Sequence, residues 1–252
     1  MTKLAEVLLP SRAPAAGELQ LALDGSRAIN RASLLRGALV GATGLLAAGA
    51  FSSEAFAQSD SGSEAVDSDA AKKRVLLAYF SRSGENYYYG GRRDLKTGNT
   101  KVLAKLIARS TGADVHEIRA SKPYSTNYQA AVDRNVREQN TDARPRIANP
   151  LKSIDAYDIV LVGSPIWNVR PPMIMSTFAD SYDFSGKTIY PFVTYAVSGL
   201  GSTLDVYAEA FPGATIGKAL AVQGEKVGAA SGAVESWLRR INLVRKEVSH
   251  GR

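Results

Sequence analysis

The chain has 252 residues, of which 45% are hydrophobic and 22% charged, and its 31 Lys plus Arg against 24 Asp plus Glu give a formal net charge of +7. This composition builds a packed core in one large domain or two smaller ones, and it excludes a disordered or collagen-like chain. The absence of cysteine excludes a thiol nucleophile and a cysteine-ligated zinc or iron–sulfur site, and with only two histidines a catalytic histidine cluster is disfavoured.

The first 57 residues have the features of an export signal. Residues 37–53 are uncharged and mostly Ala, Leu, Val and Gly, arginines precede them, and Ala55-Phe56-Ala57 is typical of a cleavage site. The apolar run is shorter than the roughly 20 residues of a spanning helix, which disfavours the alternative of an uncleaved anchor. Residues 30–36 resemble a twin-arginine signal, with Asn30 in place of the first arginine. We expect an exported, periplasmic or extracytoplasmic protein that meets the membrane only through this segment before cleavage.

The remainder divides into a linker, one domain and a tail. Residues 58–72 are rich in Ser, Asp, Gly and Ala, a composition that predicts a disordered linker. The folded domain is predicted over residues 73–243, and residues 244–252 form a C-terminal tail. Beyond the signal the chain stays mildly basic but lacks the clustered Lys and Arg of a nucleic-acid-binding protein.

Strand and helix patterns alternate along the predicted domain. Five segments have strand patterns: 74–80, 114–119, 158–163, 188–193 and 216–222. Four segments have helical patterns: one starting near Asn99, residues 128–138, one opened by Pro171-Pro172, and residues 234–241. The runs 74–80 and 158–163 are almost continuously apolar, which is typical of strands covered on both faces. This alternation predicts an α/β fold with a doubly wound parallel sheet.

In such sheets ligands bind beyond the carboxyl ends of the strands, where the strand order reverses. The loop after the first strand begins Ser81-Arg82-Ser83-Gly84 and, after an aromatic and glycine-rich stretch, ends Thr97-Gly98-Asn99-Thr100 at the start of a helix. Hydroxyl and amide side chains beside the free N–H groups of a helix start suit a phosphate group. Ordinary helix capping is the alternative interpretation.

Two later loops place an aromatic residue at the same predicted edge. Residues 163–168, Gly-Ser-Pro-Ile-Trp-Asn, follow the third strand, and residues 194–202, which begin Thr-Tyr-Ala-Val-Ser-Gly, follow the fourth. Flat aromatic side chains suit the burial of a flat ring. For either aromatic residue, packing against the domain is the alternative.

Together the three loops resemble the cofactor loops of the flavodoxin family, in order and spacing, over about residues 74–242. The resemblance implies a flavodoxin-like three-layer sandwich with a five-stranded parallel sheet in the order 2-1-3-4-5, holding flavin mononucleotide (FMN) without a covalent bond. It implies electron transfer, as a carrier or as a small quinone or NAD(P)H-type reductase, with an unidentified redox partner protein, quinone or nicotinamide donor. A binding or scaffold protein that lost the flavin is the alternative.

The resemblance also assigns residues by position, with no side chain as a catalytic acid or base. For the phosphate it assigns Ser81, Ser83, Gly98, Asn99 and Thr100. For one side of the flavin ring it assigns Ser164, Pro165, Ile166, Trp167 and Asn168, and for the other side Tyr195, Ser198 and Gly199. Because asparagine tolerates left-handed backbone, we hypothesise that a peptide next to Asn168 turns to accept a hydrogen bond from the reduced flavin N5–H; an ordinary turn asparagine is the alternative.

Three features depart from the family pattern: the split phosphate loop, the basic charge, and the predicted export away from cytosolic nicotinamide pools. Residues 87–96 split the phosphate loop, which leaves open which half binds the phosphate. The inserted tyrosines are interpreted as a lid or a partner surface, and Arg92 and Arg93 as a site for an anionic substrate, with a plain solvated loop as the alternative. The chain is also basic, whereas familiar flavodoxins are acidic, so we expect different redox partners and a higher reduction potential.

Overall fold

A computed structural model describes residues 73–244. The predicted export signal, the predicted linker and residues 245–252 of the predicted tail lie outside the described residues. Within them no helix is both long and apolar enough to cross a membrane.

The described residues form eight strands, five α-helices and one 3₁₀ helix. The strands are β1 (Val75–Phe80), β2 (Gly84–Tyr88), β3 (Gly91–Leu95), β4 (Asp114–Ile118), β5 (Ile159–Pro165), β6 (Thr188–Tyr195), β7 (Thr215–Ile216) and β8 (Leu220–Gln223). The α-helices are α1 (Asn99–Thr111), α2 (Tyr128–Asn140), α3 (Met173–Asp180), α4 (Thr203–Ala210) and α5 (Ser231–Arg240), and the 3₁₀ helix spans Gly224–Ala229.

The main sheet is parallel, with the strand order β4-β1-β5-β6, and both β7 and β8 pair with the outer side of β6. If β7 and β8 are taken as one interrupted strand, this is the predicted order 2-1-3-4-5. The strand order reverses between β1 and β5, so the carboxyl ends of these strands mark the expected position of a ligand site.

The sheet is covered on both faces, as the apolar runs predicted. Along β1, Leu76 and Phe80 belong to the hydrophobic cluster beneath α3 and α4, whereas Leu77 and Tyr79 belong to the cluster beneath α1 and α5. Successive side chains of a strand point to opposite faces, so one continuous apolar strand contributes to two cores. The resulting layers, helix on sheet on helix, confirm the predicted α/β sandwich.

The last predicted strand, residues 216–222, is interrupted in the structure. A Cβ atom added at Gly217 would collide with the ring of Tyr190 on β6, so glycine lets that ring approach the backbone. The indole Nε1 of Trp237 then donates to the carbonyl oxygen of Lys218 at 2.8 Å. Tertiary packing therefore divides the strand into β7 and β8.

Helix α4, the β2–β3 hairpin and the 3₁₀ helix are absent from the sequence-based prediction. Helix α4 buries only Thr203 and Tyr207 among its eight residues, a pattern too short to stand out. The inserted residues 87–96 lie mainly in an antiparallel hairpin of β2 and β3, in which Tyr88 pairs with Gly91. Gly90 in the hairpin turn has a φ of +91°, a conformation that favours glycine. The inserted residues are therefore a regular hairpin and not an irregular loop, and most of them are exposed to solvent.

Candidate functional site

The two halves of the interrupted first loop meet in space. A Cβ atom added at Gly98 would collide with the carbonyl oxygen of Arg82 and with Ser81 Oγ. Ser81 Oγ also accepts a hydrogen bond from the amide of Lys101, in the first turn of α1, at 3.1 Å. The hairpin thus leaves the chain after β1 and returns it to the same place, so residues from both halves surround the start of α1.

The start of α1 offers hydrogen-bond donors without a competing negative charge. Gly98 is the N-cap and has no side chain, and the first turn contains no acidic residue. The amides of Lys101 and Val102 donate to the Gly98 carbonyl oxygen at 3.1 and 3.3 Å. Within residues 73–244, the amides of Asn99 and Thr100 find no acceptor. Free amides at a helix start, supported by the helix dipole, fit the oxygens of a phosphate group.

Asn99 lies between the hairpin and the 3₁₀ helix. Its Oδ1 accepts a hydrogen bond from the Tyr88 hydroxyl at 3.2 Å. Its Nδ2 lies so close to Gly224 that a Cβ atom there would collide with it. The hydrogen bond from Tyr88 fixes which end of the amide is Oδ1. The Nδ2 group at the other end remains available as a donor to a ligand.

The remaining residues assigned to the phosphate, Thr100 and Ser83, do not both lie at the start of α1. Thr100 is buried, and its hydroxyl lies 2.8 Å from that of Thr194. Only the backbone amide of Thr100 is therefore available to a ligand at the start of α1. Ser83 is exposed between β1 and β2, and it takes part in none of the side-chain hydrogen bonds among residues 73–244. The structure therefore brings together four of the five residues assigned to the phosphate: Ser81, Gly98, Asn99 and Thr100. Ser83 makes none of the contacts that join them.

Arg82 fixes the first loop to the segment before α2. Its guanidinium donates to the carbonyl oxygens of Ser125 (2.8 Å), Thr126 (3.3 Å) and Glu85, and its Nε is buried without a partner among the described residues. Burial lowers the pKa of Arg82 from its usual value, but a guanidinium remains protonated in proteins. The loop thus contains a permanent positive charge in a fixed position.

The second loop contains a strained turn. The amide of Trp167 donates to the Arg170 carbonyl oxygen at 2.9 Å, and the Arg170 amide donates back at 3.3 Å. The two central residues, Asn168 and Val169, have φ values of +49° and +66°. Two left-handed residues in succession define a type I′ turn, and a β-branched residue such as Val169 adopts this conformation at a cost. Asn168 therefore has the left-handed backbone on which the hypothesis about it depends.

The indole of Trp167 is half-buried and held by an aromatic cluster. Its ring centroid lies 5.6 Å from that of Phe80 and 5.1 Å from that of Tyr124, both in edge-to-face geometry. The Arg82 guanidinium lies 5.9 Å from the indole centroid. One part of the indole thus packs on the core while another part remains exposed at the carboxyl edge of the sheet.

Gln139 of α2 holds the same turn and was missed by the sequence analysis. Its Nε2 donates to the Trp167 carbonyl oxygen at 3.2 Å, and its Oε1 accepts from Asn168 Nδ2 at 2.8 Å. No local signal identifies Gln139, because it precedes the turn by nearly 30 residues in the chain. It fixes the peptide between Trp167 and Asn168 from outside the loop.

Ser164 lies in a strand and not in the loop predicted for it. Strand β5 extends to Pro165, and Ser164 is fully buried within it, 3.3 Å from the hydroxyl of Tyr207. Its hydroxyl is thus engaged inside the core. Pro165 and Ile166 are partly buried at the end of the strand, where the Ile166 amide donates to the Thr194 carbonyl oxygen at 2.9 Å.

The third loop contacts both of the others. The Ser202 amide donates to the Val169 carbonyl oxygen at 2.8 Å, joining this loop to the tip of the strained turn. At its other end, Thr194 bonds to Thr100 and is followed by the half-buried Tyr195 at the end of β6. Ser198 and Gly199 are also partly buried, and Gly199 has a φ of +58°. The three loops therefore form one continuous edge.

This edge offers no metal site among residues 73–244, where no group of His, Asp and Glu side chains is arranged to hold an ion. It has free hydrogen-bond donors at the start of α1 and one half-buried aromatic side chain on each of the other two loops, Trp167 and Tyr195. Donors suit an anionic group and aromatic side chains suit a flat apolar one, so the donor set fits a phosphorylated aromatic ligand.

Comparison with known proteins agrees with this fold. A protein from Bacteroides uniformis, named as a candidate flavoprotein, is 29% identical, with a TM-score of 0.55 over 66% of this chain and 98% of its own. A similarly named protein from Bacteroides eggerthii is 26% identical, with a TM-score of 0.53 over 67% of this chain and 98% of its own. No curated protein matches the chain. The family model described as flavodoxin matches residues 74–241, two-thirds of the sequence, and the chain belongs to the flavodoxin family.

Proposed function

We propose that the protein binds FMN at the carboxyl edge of its sheet and transfers electrons through it. The observation that carries this proposal is the joining of the three loops, through Thr100 and Thr194 on one side and through Val169 and Ser202 on the other. Loops that are bonded to each other form a preorganised site, and preorganisation lowers the free-energy cost of binding.

The phosphate end of the site is the start of α1. The amides of Asn99 and Thr100, the Nδ2 of Asn99 and the hydroxyl of Ser81 supply donors there. A phosphate dianion accepts several hydrogen bonds at once, and the helix dipole favours its charge. These residues would hold the phosphate without a metal ion.

The ring end lies between the second and third loops. Trp167 would contact one side of the isoalloxazine and Tyr195 the other, and their apolar surfaces would exclude water from it. When bound, the flavin supplies the redox chemistry, while the protein supplies its position and its electrostatic surroundings. In a low dielectric, backbone dipoles of the 167–170 turn act on the ring more strongly than they would in water.

The exposed surface beside the ring end favours a quinone as the exchange partner. Val169 and Val197, on the second and third loops, are 44% and 61% exposed. Apolar side chains at the edge of a cleft suit an uncharged apolar reactant better than a nicotinamide dinucleotide with its phosphates. Export through the N-terminal signal, which we also propose, would separate the protein from cytosolic nicotinamide pools.

The proposal is tested first by the cofactor content of the purified protein. We expect yellow protein that releases a fluorescent flavin on acid denaturation and whose apoprotein rebinds FMN at one equivalent per chain. Colourless protein that also fails to bind added FMN would overturn the proposal and favour a scaffold function.

Electron transfer is tested on the FMN-loaded protein after chemical reduction. Mixing with a soluble quinone should restore the absorbance of the oxidised flavin faster than mixing with NAD⁺ or NADP⁺ does. If neither acceptor reoxidises the flavin faster than buffer, the electron-transfer part of the proposal fails while FMN binding stands.

A further inference from the structure

The β2–β3 hairpin is fixed at both ends. At its base, the Glu85 amide donates to the Thr126 carbonyl oxygen at 2.8 Å, and the Glu85 carboxylate accepts from the Tyr128 amide at 2.9 Å. At its tip, the Tyr89 amide donates to Glu225 Oε1 at 2.6 Å. The hairpin therefore extends from the start of α2 to the 3₁₀ helix and contacts the start of α1 between them, through Tyr88.

The two adjacent arginines of β3 lie on opposite faces of the hairpin. Arg92 pairs with Tyr87 and Arg93 with Asn86, and neighbouring residues of a strand alternate between faces. The Arg92 guanidinium lies 4.4 Å from the ring centroid of Tyr128 on α2. The Arg93 guanidinium instead lies 5.3 Å from the ring centroid of Tyr88. One arginine is therefore directed to α2 and the other to the tyrosine that contacts α1.

Tyr88 connects this second face to the helix start. Its hydroxyl is bonded to Asn99, the first residue of α1, whose amide has no acceptor among residues 73–244. Arg93 is exposed and forms no ion pair with any residue in that range. Arg93 thus has a guanidinium that no carboxylate neutralises, on the hairpin face whose Tyr88 contacts the helix start, and such a guanidinium favours an anion as its partner.

We propose that Arg93, positioned by Tyr88, binds the phosphate end of the cofactor, with the hairpin as a second wall of that site. The inference rests on the proposed function and extends it. Arg93 donates to the phosphate oxygens from the hairpin side, opposite the amides of α1. Tyr88 holds Arg93 through its ring and orients Asn99 through its hydroxyl. The inserted residues thus make the chain selective for a phosphorylated flavin over riboflavin.

The test compares FMN with riboflavin, which lacks the phosphate. Apoprotein is titrated with each flavin and binding is followed by the quenching of flavin fluorescence. The variant Arg93→Gln should weaken FMN binding about 10-fold or more, since a charge-assisted hydrogen bond is lost, and should leave the riboflavin Kd within about twofold. The dependence of the FMN Kd on salt should also become shallower.

Arg92→Gln is the matched control, because it removes the same charge from the opposite face of the same strand. It should leave both dissociation constants within about twofold of the wild type, since Arg92 is directed to Tyr128. Tyr88→Phe should weaken FMN binding several-fold and spare riboflavin. Thermal unfolding of each apo variant shows whether the fold is intact.

Equal effects of Arg93→Gln and Arg92→Gln on FMN binding would overturn the inference, because a general effect of charge would then explain both. A parallel loss of FMN and riboflavin binding in Arg93→Gln would also overturn it and assign the hairpin a structural role. Wild-type apoprotein that binds neither flavin would instead refute the proposed function, which keeps the two failures distinguishable.

Discussion

The hydroxyl oxygens of Thr100 and Thr194 lie 2.8 Å apart, and both side chains are buried. One hydroxyl donates to the other, so neither is left without a partner in the core. The bond joins the first turn of α1 to the end of β6, just before Tyr195. It therefore links the phosphate end of the proposed site to the loop at its ring end.

Breaking this pair should destabilise the protein more than removing it entirely. Thr194→Val leaves the Thr100 hydroxyl buried without a partner, and we expect the free energy of unfolding to fall by about 1–3 kcal/mol. The double variant Thr100→Val/Thr194→Val should lose less than the sum of the two single variants, because no unpaired hydroxyl remains. Denaturant unfolding measures both. Additive losses would show that the two hydroxyls are not coupled.

Gly224 should matter for cofactor binding more than for stability. In Gly224→Ala the new methyl group displaces the Asn99 amide, which is the end of a flexible side chain, so the fold should tolerate the change. Loss of that donor should raise the FMN Kd about 3- to 10-fold. A Cβ atom added at Gly228, in the same 3₁₀ helix, would meet no other atom within 4 Å, which makes Gly228→Ala the control. Equal FMN affinities for the two variants would contradict the proposed position of Asn99.

Gln139 should control the ring end of the site. Gln139→Ala removes the hydrogen bonds to Trp167 O and Asn168 Nδ2, and the strained turn then loses two of its supports. We expect the affinities for FMN and riboflavin to fall together, about fivefold or more, because both flavins contain the ring. Gln129→Ala, at an exposed position of the same helix, is the control. A loss confined to FMN would show that the turn does not contact the ring.

Buried tyrosines should make the protein sensitive to alkali. Burial, and after it the charge of Glu117, raises the pKa of Tyr79 to about 12. A phenol with a raised pKa holds its proton more tightly in the folded state, so its contribution is complete below about pH 10, the unfolded value, and is lost as the pH rises from there towards 12. Unfolding free energies measured between pH 8 and 11.5 should therefore decline above pH 10, and Tyr79→Phe should flatten that decline. Parallel curves for the two proteins would contradict the shift at Tyr79.

A parallel sheet covered on both faces could be predicted because its central strands carry their own signal, whereas the strand order came from the resemblance to the flavodoxin family. In β1, Leu76 and Leu77 lie on opposite faces and are 1% and 0% exposed, so burial on both sides demands an uninterrupted apolar run. The start of α1 could also be predicted from the sequence, because Gly98 and Asn99 are typical of a helix start. Helix α4 lacked such a signal, since only Thr203 and Tyr207 are buried along it.

By itself, the sequence determined a parallel sheet of alternating strands and helices, the carboxyl edge as the expected location of a site, and the absence of cysteine chemistry. These follow from local composition and periodicity, which each segment shows independently of its neighbours. Only the tertiary structure decided that the inserted residues form a hairpin beside α1, that Gln139 holds the Trp167 turn, and that Ser164 is buried against Tyr207. The physical reason is that each of these contacts is a short-range hydrogen bond, from a side chain to another side chain or to the backbone, between groups that the packing of separate elements brings together. No periodicity along the chain encodes such a contact.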